Sequence, residues 1–225
     1  MEKIDRISQK YYHVLKAIAQ RKGEDRYLRI TSGELATLLG MSQQNASRLI
    51  LEMDHSGIIE RKISGRRQEI SITEPGLDLL FEEFADLSQL LGTGKESTIR
   101  GTVQSGLGEG RYYVAKKPYL IQFNEKLGMI PYPGTLNVKV LTEDEKSLRH
   151  IRAMKGIIIE GFNSDDRTFG AVKAFPCSIK EIQCALIFPY RSIYRDVMEI
   201  ISHEFLRQKL DLKDGDKVDI SFSSV

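Results

Sequence analysis

Cysteine is scarce in this sequence: Cys177 and Cys184 are the two present in 225 residues. Two cysteines with no signal peptide ahead of them exclude a disulfide-stapled secreted domain and read as reduced thiols of a cytoplasmic protein. Histidine is also sparse. His13, His55, His150 and His203 are scattered without metal-ligand spacing, so no zinc site is expected. No apolar run approaches the roughly 20 residues of a membrane span, so no membrane partner is expected. The run GxxxxGK followed by Ser or Thr is absent as well, which speaks against a P-loop kinase. Nor does one sign of charge dominate, since 33 basic against 31 acidic residues leave a net charge of +2 and exclude a molecule that is a polycation throughout. No internal repeat and no low-complexity tract is found.

A length of 225 residues favours two domains, and 41% hydrophobic residues suffice for ordinary globular cores. Up to Thr73 there are 13 Lys and Arg against 9 Asp and Glu, a local excess of 4 that suits a polyanionic partner for the N-terminal part. Ile7, Tyr11, Leu15 and Ile18 follow helical spacing and predict a helix over 7–20. Thr31 stands three residues ahead of Glu34, the spacing of a capping box. The short helix it opens carries Leu35, Leu38 and Leu39, and Gly40 can supply the left-handed residue that ends it. Ser42 can then cap a second helix over 43–56, with Ala46, Leu49, Ile50 and Met53 facing inward.

Two short helices joined by Gly-Met-Ser form a helix-turn-helix whose second helix is the candidate recognition element. Its outward side presents Gln43, Gln44, Ser47 and Arg48, and glutamine and arginine pair bidentately with adenine and guanine edges. Two strands, 58–63 and 69–73, follow around a loop over 64–68 with Arg66 and Arg67 at its tip. A basic hairpin of this kind grips phosphates or a minor groove, and the whole segment resembles winged-helix transcription regulators. Duplex DNA is therefore the expected partner of a domain spanning 1–91. After Pro75, a wide apolar stripe of Leu77, Leu80, Phe81, Phe84, Leu87 and Leu91 can bury against the first helix or against its copy in a homodimer.

The linker around Gly92 and Gly94 marks a boundary, and a second domain over 97–225 is expected. Short β-rich runs predict strands at 99–104, 111–114, 136–140, 156–162, 168–176, 184–188 and 217–222, with helices at 117–127 and 195–208. Many short strands broken by glycine and proline suggest a closed barrel.

Two motifs in the second part carry chemistry. GLGEG, from Gly106 to Gly110, follows a β-prone run and can bring bare backbone N–H groups to phosphate oxygens, although alone it also reads as a hairpin turn. PGTLN places Thr135 and Asn137 two apart, on one face of a strand, where a hydroxyl and a carboxamide could complete the shell of a hard cation carried by phosphates. Alone, it is also a plain turn into a strand.

The two motifs about 25 residues apart, separated by YLIQFNEKLGMIPYPG and followed by a later MEII…LR segment, resemble the archaeal CTP-dependent riboflavin kinases over about 99–222. The Pro-x-Thr-x-Asn arrangement is also similar to the flavokinases of bacteria and eukaryotes. The resemblance implies a six-stranded cradle-loop barrel, making the chain an α+β protein of two domains, winged helix-turn-helix then barrel. It implies FMN and CDP made from riboflavin and CTP, with Mg2+ held by Thr135 and Asn137. The nucleotide would lie on Gly101, Thr102, Val103, Gln104, Ser105, Gly106, Leu107, Gly108, Glu109 and Gly110, and on Glu204, Phe205, Leu206 and Arg207. Ser192, placed with a one-residue gap, and Glu199 would face the flavin's ribityl tail, with Glu199 the candidate base. His203 departs from the family, whose kinase-only members are expected to have proline there.

The combined reading is a bifunctional kinase and regulator of riboflavin genes. Two alternatives stand beside it: a regulator whose barrel only senses a flavin or nucleotide, and a kinase whose helix-turn-helix only dimerises it.

Overall fold

The computed structural model describes residues 2–23, 25–65, 67–91, 97–106, 108–164, 167–190 and 195–222, with side chains from residue 11 onward, Glu109 excepted. It divides into two compact units, Met1–Leu87 and Ser88–Val225. The first contains α1 (Glu2–Lys22), β1 (Leu28–Ile30), α2 (Ser32–Leu38), α3 (Gln43–His55), β2 (Ile59–Ser64) and β3 (Arg67–Ile72), and α4 (Glu74–Leu90) runs on across the boundary. Tyr11, Leu15 and Ile18 of α1 are buried in one core with Leu35, Ala46, Ile50 and Met53, as their helical spacing requires. The Tyr11 hydroxyl also donates to Glu52 at 2.9 Å, tying α1 to α3.

The capping box is present in full. The Glu34 N–H donates to Thr31 Oγ1 at 3.2 Å while the Thr31 N–H donates to Glu34 Oε2 at 2.8 Å, satisfying two N-terminal donors of α2 reciprocally. Ser42 Oγ accepts from the Asn45 N–H at 3.3 Å, so α3 starts where its cap dictates. Three antiparallel strands in the order β1, β3, β2 complete this unit. The β2–β3 ladder continues to Ser64 opposite Arg67, so Arg67, expected in the 64–68 loop, lies in a strand. On α4, Leu79 and Leu80 pack against the first core, whereas Leu87, Leu90 and, just past the helix, Leu91 are exposed.

The second unit contains β4 (Ser97–Gln104), α5 (Glu109–Val114), α6 (Lys117–Leu127), β5 (Leu136–Val140), a 3-10 turn (Thr142–Asp144), α7 (Glu145–Ala153), β6 (Ile157–Ile159), β7 (Phe162–Ser164), β8 (Arg167–Phe169), β9 (Val172–Ile179), β10 (Ile182–Pro189), β11 (Val197–Ser202), α8 (Leu206–Lys209) and β12 (Lys217–Phe222). The strand order β10, β11, β5, β4, β12, β9 closes on itself because β9 also pairs with β10, giving a six-stranded antiparallel barrel. Alternate residues of all six strands fill its interior, among them Ile99, Val138, Phe175, Leu186, Met198 and Ile220. A second cluster, with Tyr119 and Phe123 of α6 against Ala174, Ala185, Ile187 and Ile201, covers part of the barrel's outer face.

Further expectations are corrected, the single strands expected at 156–162 and 168–176 among them, which are broken into β6 and β7 and into β8 and β9. The 111–114 run is helical, so GLGEG leads from a strand into α5 and is not a hairpin. The 195–208 run is not a helix but β11, a bend and the short α8, so Glu199 sits on a barrel strand. The helix α7 was not anticipated. Cys177 and Cys184 are buried register partners on β9 and β10, and burial pushes both thiols upward from their ordinary range, which favours their protonated form. Among the described residues no helix is long and apolar enough to cross a membrane.

Gly101 points into the filled interior of the barrel. A Cβ there would collide with Val138 Cγ1 and stand 2.7 Å from the Lys139 carbonyl oxygen. Gly101→Ala is therefore expected to destabilise the barrel by about 1–3 kcal/mol, as overpacking does. Thermal or urea unfolding measures it, and an unchanged midpoint would contradict this packing.

Candidate active site

Leu136, Val138 and Val140 of β5 point into the barrel, so Asn137 between them points out. Register then places Gln104 of β4 and Glu199 of β11 directly opposite Asn137, one on each side. Cross-strand partners have Cβ atoms about 4.5–5.5 Å apart, so these three polar side chains form a row across the barrel's outer face. Thr135 precedes the strand, and its Oγ1 accepts from Asn137 Nδ2 at 3.4 Å.

The glycine loop lies directly on this row. A Cβ at Gly106 would collide with the Asn137 carboxamide, and one at Gly110 would stand 2.5 Å from Thr135 Oγ1. The two motifs are therefore in contact, and only glycine permits it. Gly108 has open space around it but a φ of +82°, so conformation rather than room selects glycine there.

The root of the loop is fastened by Asp214. Its Oδ2 accepts from the Ser105 N–H at 3.0 Å and from Ser105 Oγ at 2.6 Å, and its Oδ1 accepts from Arg207 Nη2 at 2.7 Å. Hydrogen bonds from Ser105, then the Arg207 guanidinium, hold this carboxyl below its usual range.

A cavity of about 850 Å³ opens beside these groups. Part of its wall is polar and glycine-rich, with Gln104, Ser105, Gly106, Gly108, Gly110, Thr135, Asn137, Glu199 and Arg207. Another part is apolar and aromatic, with Tyr113, Tyr119, Phe123, Phe169, Val172 and Ile187. Tyr132 and Phe205 also line it, stacked with ring centroids 4.8 Å apart.

Of the residues expected to hold nucleotide, Gln104, Ser105, Gly106, Gly108, Gly110, Glu204, Phe205, Leu206 and Arg207 line this cavity. Gly101, Thr102 and Val103 do not, being part of the barrel wall. Glu109 opens α5, and Leu107 and Ser192 lie outside the described residues. Sequence reasoning gave no role to Tyr132, although it lies in the YLIQFNEKLGMIPYPG segment, nor to Tyr113 and Phe169, which carry no motif and are gathered by the fold. It also missed Asp214, an ordinary turn residue in sequence.

In the first unit, Gln43, Gln44 and Arg48 are exposed on α3 and Ser47 is half-buried. Arg67 is exposed on β3, and Arg66 lies outside the described residues. Gln68 instead is buried and accepts from Arg61 Nε at 2.6 Å, which stiffens the base of the hairpin.

Comparison with known proteins agrees with this division. A Crp-like helix-turn-helix domain model matches residues 9–76. The CTP-dependent riboflavin kinase model, described as domain of unknown function DUF120, matches residues 103–222. The riboflavin kinase of Thermoplasma acidophilum is 51% identical over 210 residues, covering 93% of this chain and 96% of that protein. That of Thermoplasma volcanium is 48% identical over 217 residues, 96% of this chain and 99% of the relative. That of Archaeoglobus fulgidus is 44% identical over 208 residues, 92% and 89% of the two chains. With a family model running from within β4 to the end of β12 and relatives matching nearly end to end, the chain belongs to the CTP-dependent riboflavin kinase family.

Proposed function

We propose that the second unit transfers the γ-phosphoryl group of CTP to the 5′-hydroxyl of riboflavin, releasing FMN and CDP, and that the first unit binds duplex DNA to regulate riboflavin genes. The observation that carries the kinase reading is the contact of Gly106 and Gly110 with Asn137 and Thr135 at the polar wall of the cavity. Phosphoryl transfer asks a protein mainly to position its reactants and offset charge. Backbone N–H groups of the glycine loop would hold the phosphates, and the aromatic wall would take the flavin ring.

Thr135 and Asn137 are the residues that would hold Mg2+. Their chemistry fits a cation that arrives with a nucleotide: two neutral side chains cannot offset a divalent charge, and among the described residues no group of three or more His, Cys, Asp or Glu could hold a metal. A half-turn of the Asn137 amide, which does not alter the shape of the side chain, presents its oxygen in place of Nδ2. Bound there, Mg2+ would draw negative charge from the transferring group. Glu199, beside Asn137 in the ladder, would accept the proton of the attacking hydroxyl as its oxygen bonds to phosphorus and CDP departs.

Incubation of the full-length protein with riboflavin and each nucleoside triphosphate in turn, followed by chromatography for FMN, tests this directly. FMN is expected with CTP, and no FMN with any nucleotide would end the kinase reading. Asn137→Ala should lower turnover by at least about tenfold while riboflavin fluorescence titration shows nearly unchanged binding. Unchanged turnover would remove Asn137 from the metal shell. Gly106→Ala should weaken CTP binding with the barrel still folded, because the added methyl must displace the loop from Asn137. Normal calorimetric affinity would place the phosphates elsewhere.

For the first unit, Arg66→Ala with Arg67→Ala should weaken binding to any duplex and reduce the salt slope by about two, one for each phosphate released. Gln44→Ala and Arg48→Ala should each cost roughly 1–3 kcal/mol on the cognate site and much less on random sequence. Anisotropy titrations of promoter DNA from the protein's own genome at two salt concentrations measure both, using full-length protein and a 1–91 fragment. No salt-dependent binding by either the full-length protein or the fragment, each shown to be folded, would leave the helix-turn-helix without a DNA role. Phe84 and Leu87, exposed on α4 within the first unit, are the surface through which two copies would pair to read two half-sites. Sedimentation over a concentration series checks this, and a monomer throughout would contradict it.

A further inference from the structure

Asp214 does not line the cavity, yet every donor it holds belongs to a residue that does. Its carboxylate takes both the N–H and the hydroxyl of Ser105, the residue that opens the glycine loop, and one hydrogen of Arg207 Nη2. The second Nη2 donation goes to the carbonyl of Gln104 at 2.9 Å, the residue preceding Ser105. Asp214, Ser105, Gln104 and Arg207 thus close a ring in which Arg207 cannot swing away without breaking two bonds. The turn that carries Asp214 is itself fastened to β4. The Gly215 N–H donates to the Val103 carbonyl at 2.9 Å, the Val103 N–H to the Asp216 carbonyl at 2.8 Å, and the Lys213 N–H to Asp216 Oδ2 at 2.7 Å.

We propose that Asp214 is a positioning residue for the phosphate donor, holding Arg207 and the root of the glycine loop in place before the nucleotide arrives. The inference rests on the kinase reading above. With both Nη2 hydrogens used, Arg207, which lines the cavity, keeps its Nη1 and Nε hydrogens without a protein acceptor among the described residues. Two effects of Asp214 oppose each other. Its negative charge weakens the field that Arg207 offers an anion, and its hydrogen bonds order the groups that meet that anion. An isolated ion pair this exposed, with side chains 28% and 51% accessible, has little effect by itself. The ring and the shared Ser105 bonds make ordering the larger effect, since a small displacement of a phosphate-binding group costs far more than screened charge returns.

The two effects predict opposite signs, which makes the test decisive. In the full-length protein, Asp214→Ala should raise the KM for CTP roughly tenfold, with kcat, the affinity for riboflavin by fluorescence and the thermal midpoint changed much less. Asp214→Asn keeps an acceptor for Ser105 but drops the charge that holds Arg207, so its KM should fall between wild type and Asp214→Ala. If Asp214→Ala does not fold, Asp214→Asn alone carries the test. Combining Asp214→Ala with Arg207→Ala should raise KM by less than the product of the two separate increases, because both break one ring. A KM that is unchanged or lower in the Asp214 variants overturns the proposal, as does a fully multiplicative double variant. Equal losses in riboflavin and CTP binding with a lowered midpoint also overturn it, since they would mark Asp214 as a general stabiliser of the barrel. Wild-type protein that makes no FMN from riboflavin and CTP would instead refute the kinase reading, and the inference with it.

Discussion

The backbone at Gly106 and Gly110 rests on the side chains of Asn137 and Thr135, and the arrangement of the second unit follows from that contact. Any side chain at either glycine would lift the loop from β5 and part it from Thr135 and Asn137. Rigidity on both sides makes the contact useful. Asn137 belongs to a strand paired on both edges, and the loop is tied at its root through Ser105 and runs into α5 at its other end. Catalysis by positioning needs groups held in place before substrate arrives, and on the proposed kinase reading this contact would join two of them.

The barrel divides the labour between its faces. Its interior is filled by apolar side chains from six strands, and the polar side chains of Gln104, Asn137 and Glu199 stand in a row on the outside. The aromatic cluster under α6 lies on the same outer side. Each strand that contributes to the row therefore uses its alternate residues twice, one set packing the interior and the other lining the candidate site. That is why a polar row can coexist with strands as apolar as β10 and β11.

The helix-turn-helix unit is put together by different forces. Its sheet is three short strands, so helix caps and the tyrosine bond from α1 to α3 hold α2 and α3 in register with the shared core. The exposed polar side of α3 is left over after Ala46, Leu49, Ile50 and Met53 are buried, which leaves Gln43, Gln44 and Arg48 in solvent.

Local sequence determined whatever is decided within a few residues. The Thr31 and Ser42 caps, the left-handed Gly40 and the apolar stripes of α1 and α3 are intrahelical matters, and their elements lie where the residues place them. The pairing of the glycine loop with Thr135 and Asn137 was legible through resemblance, not through spacing. Tertiary structure decided the rest. On β11, Met198 and Ile200 face the barrel interior while Ile201 packs on the outer cluster, so burial on both sides erases the alternation of a strand and leaves apolar spacing that mimics a helix. The Arg111-Tyr-Tyr-Val run has the residues of a strand, but it forms α5, with Val114 buried beside Tyr119 and Phe123. Asp214 had no local signature at all, and nothing local in the YLIQFNEKLGMIPYPG segment pointed to the stacking of Tyr132 on Phe205. Their partners lie far away in sequence, Ser105 for one and Phe205 for the other, and only closure of the barrel brings each pair within reach.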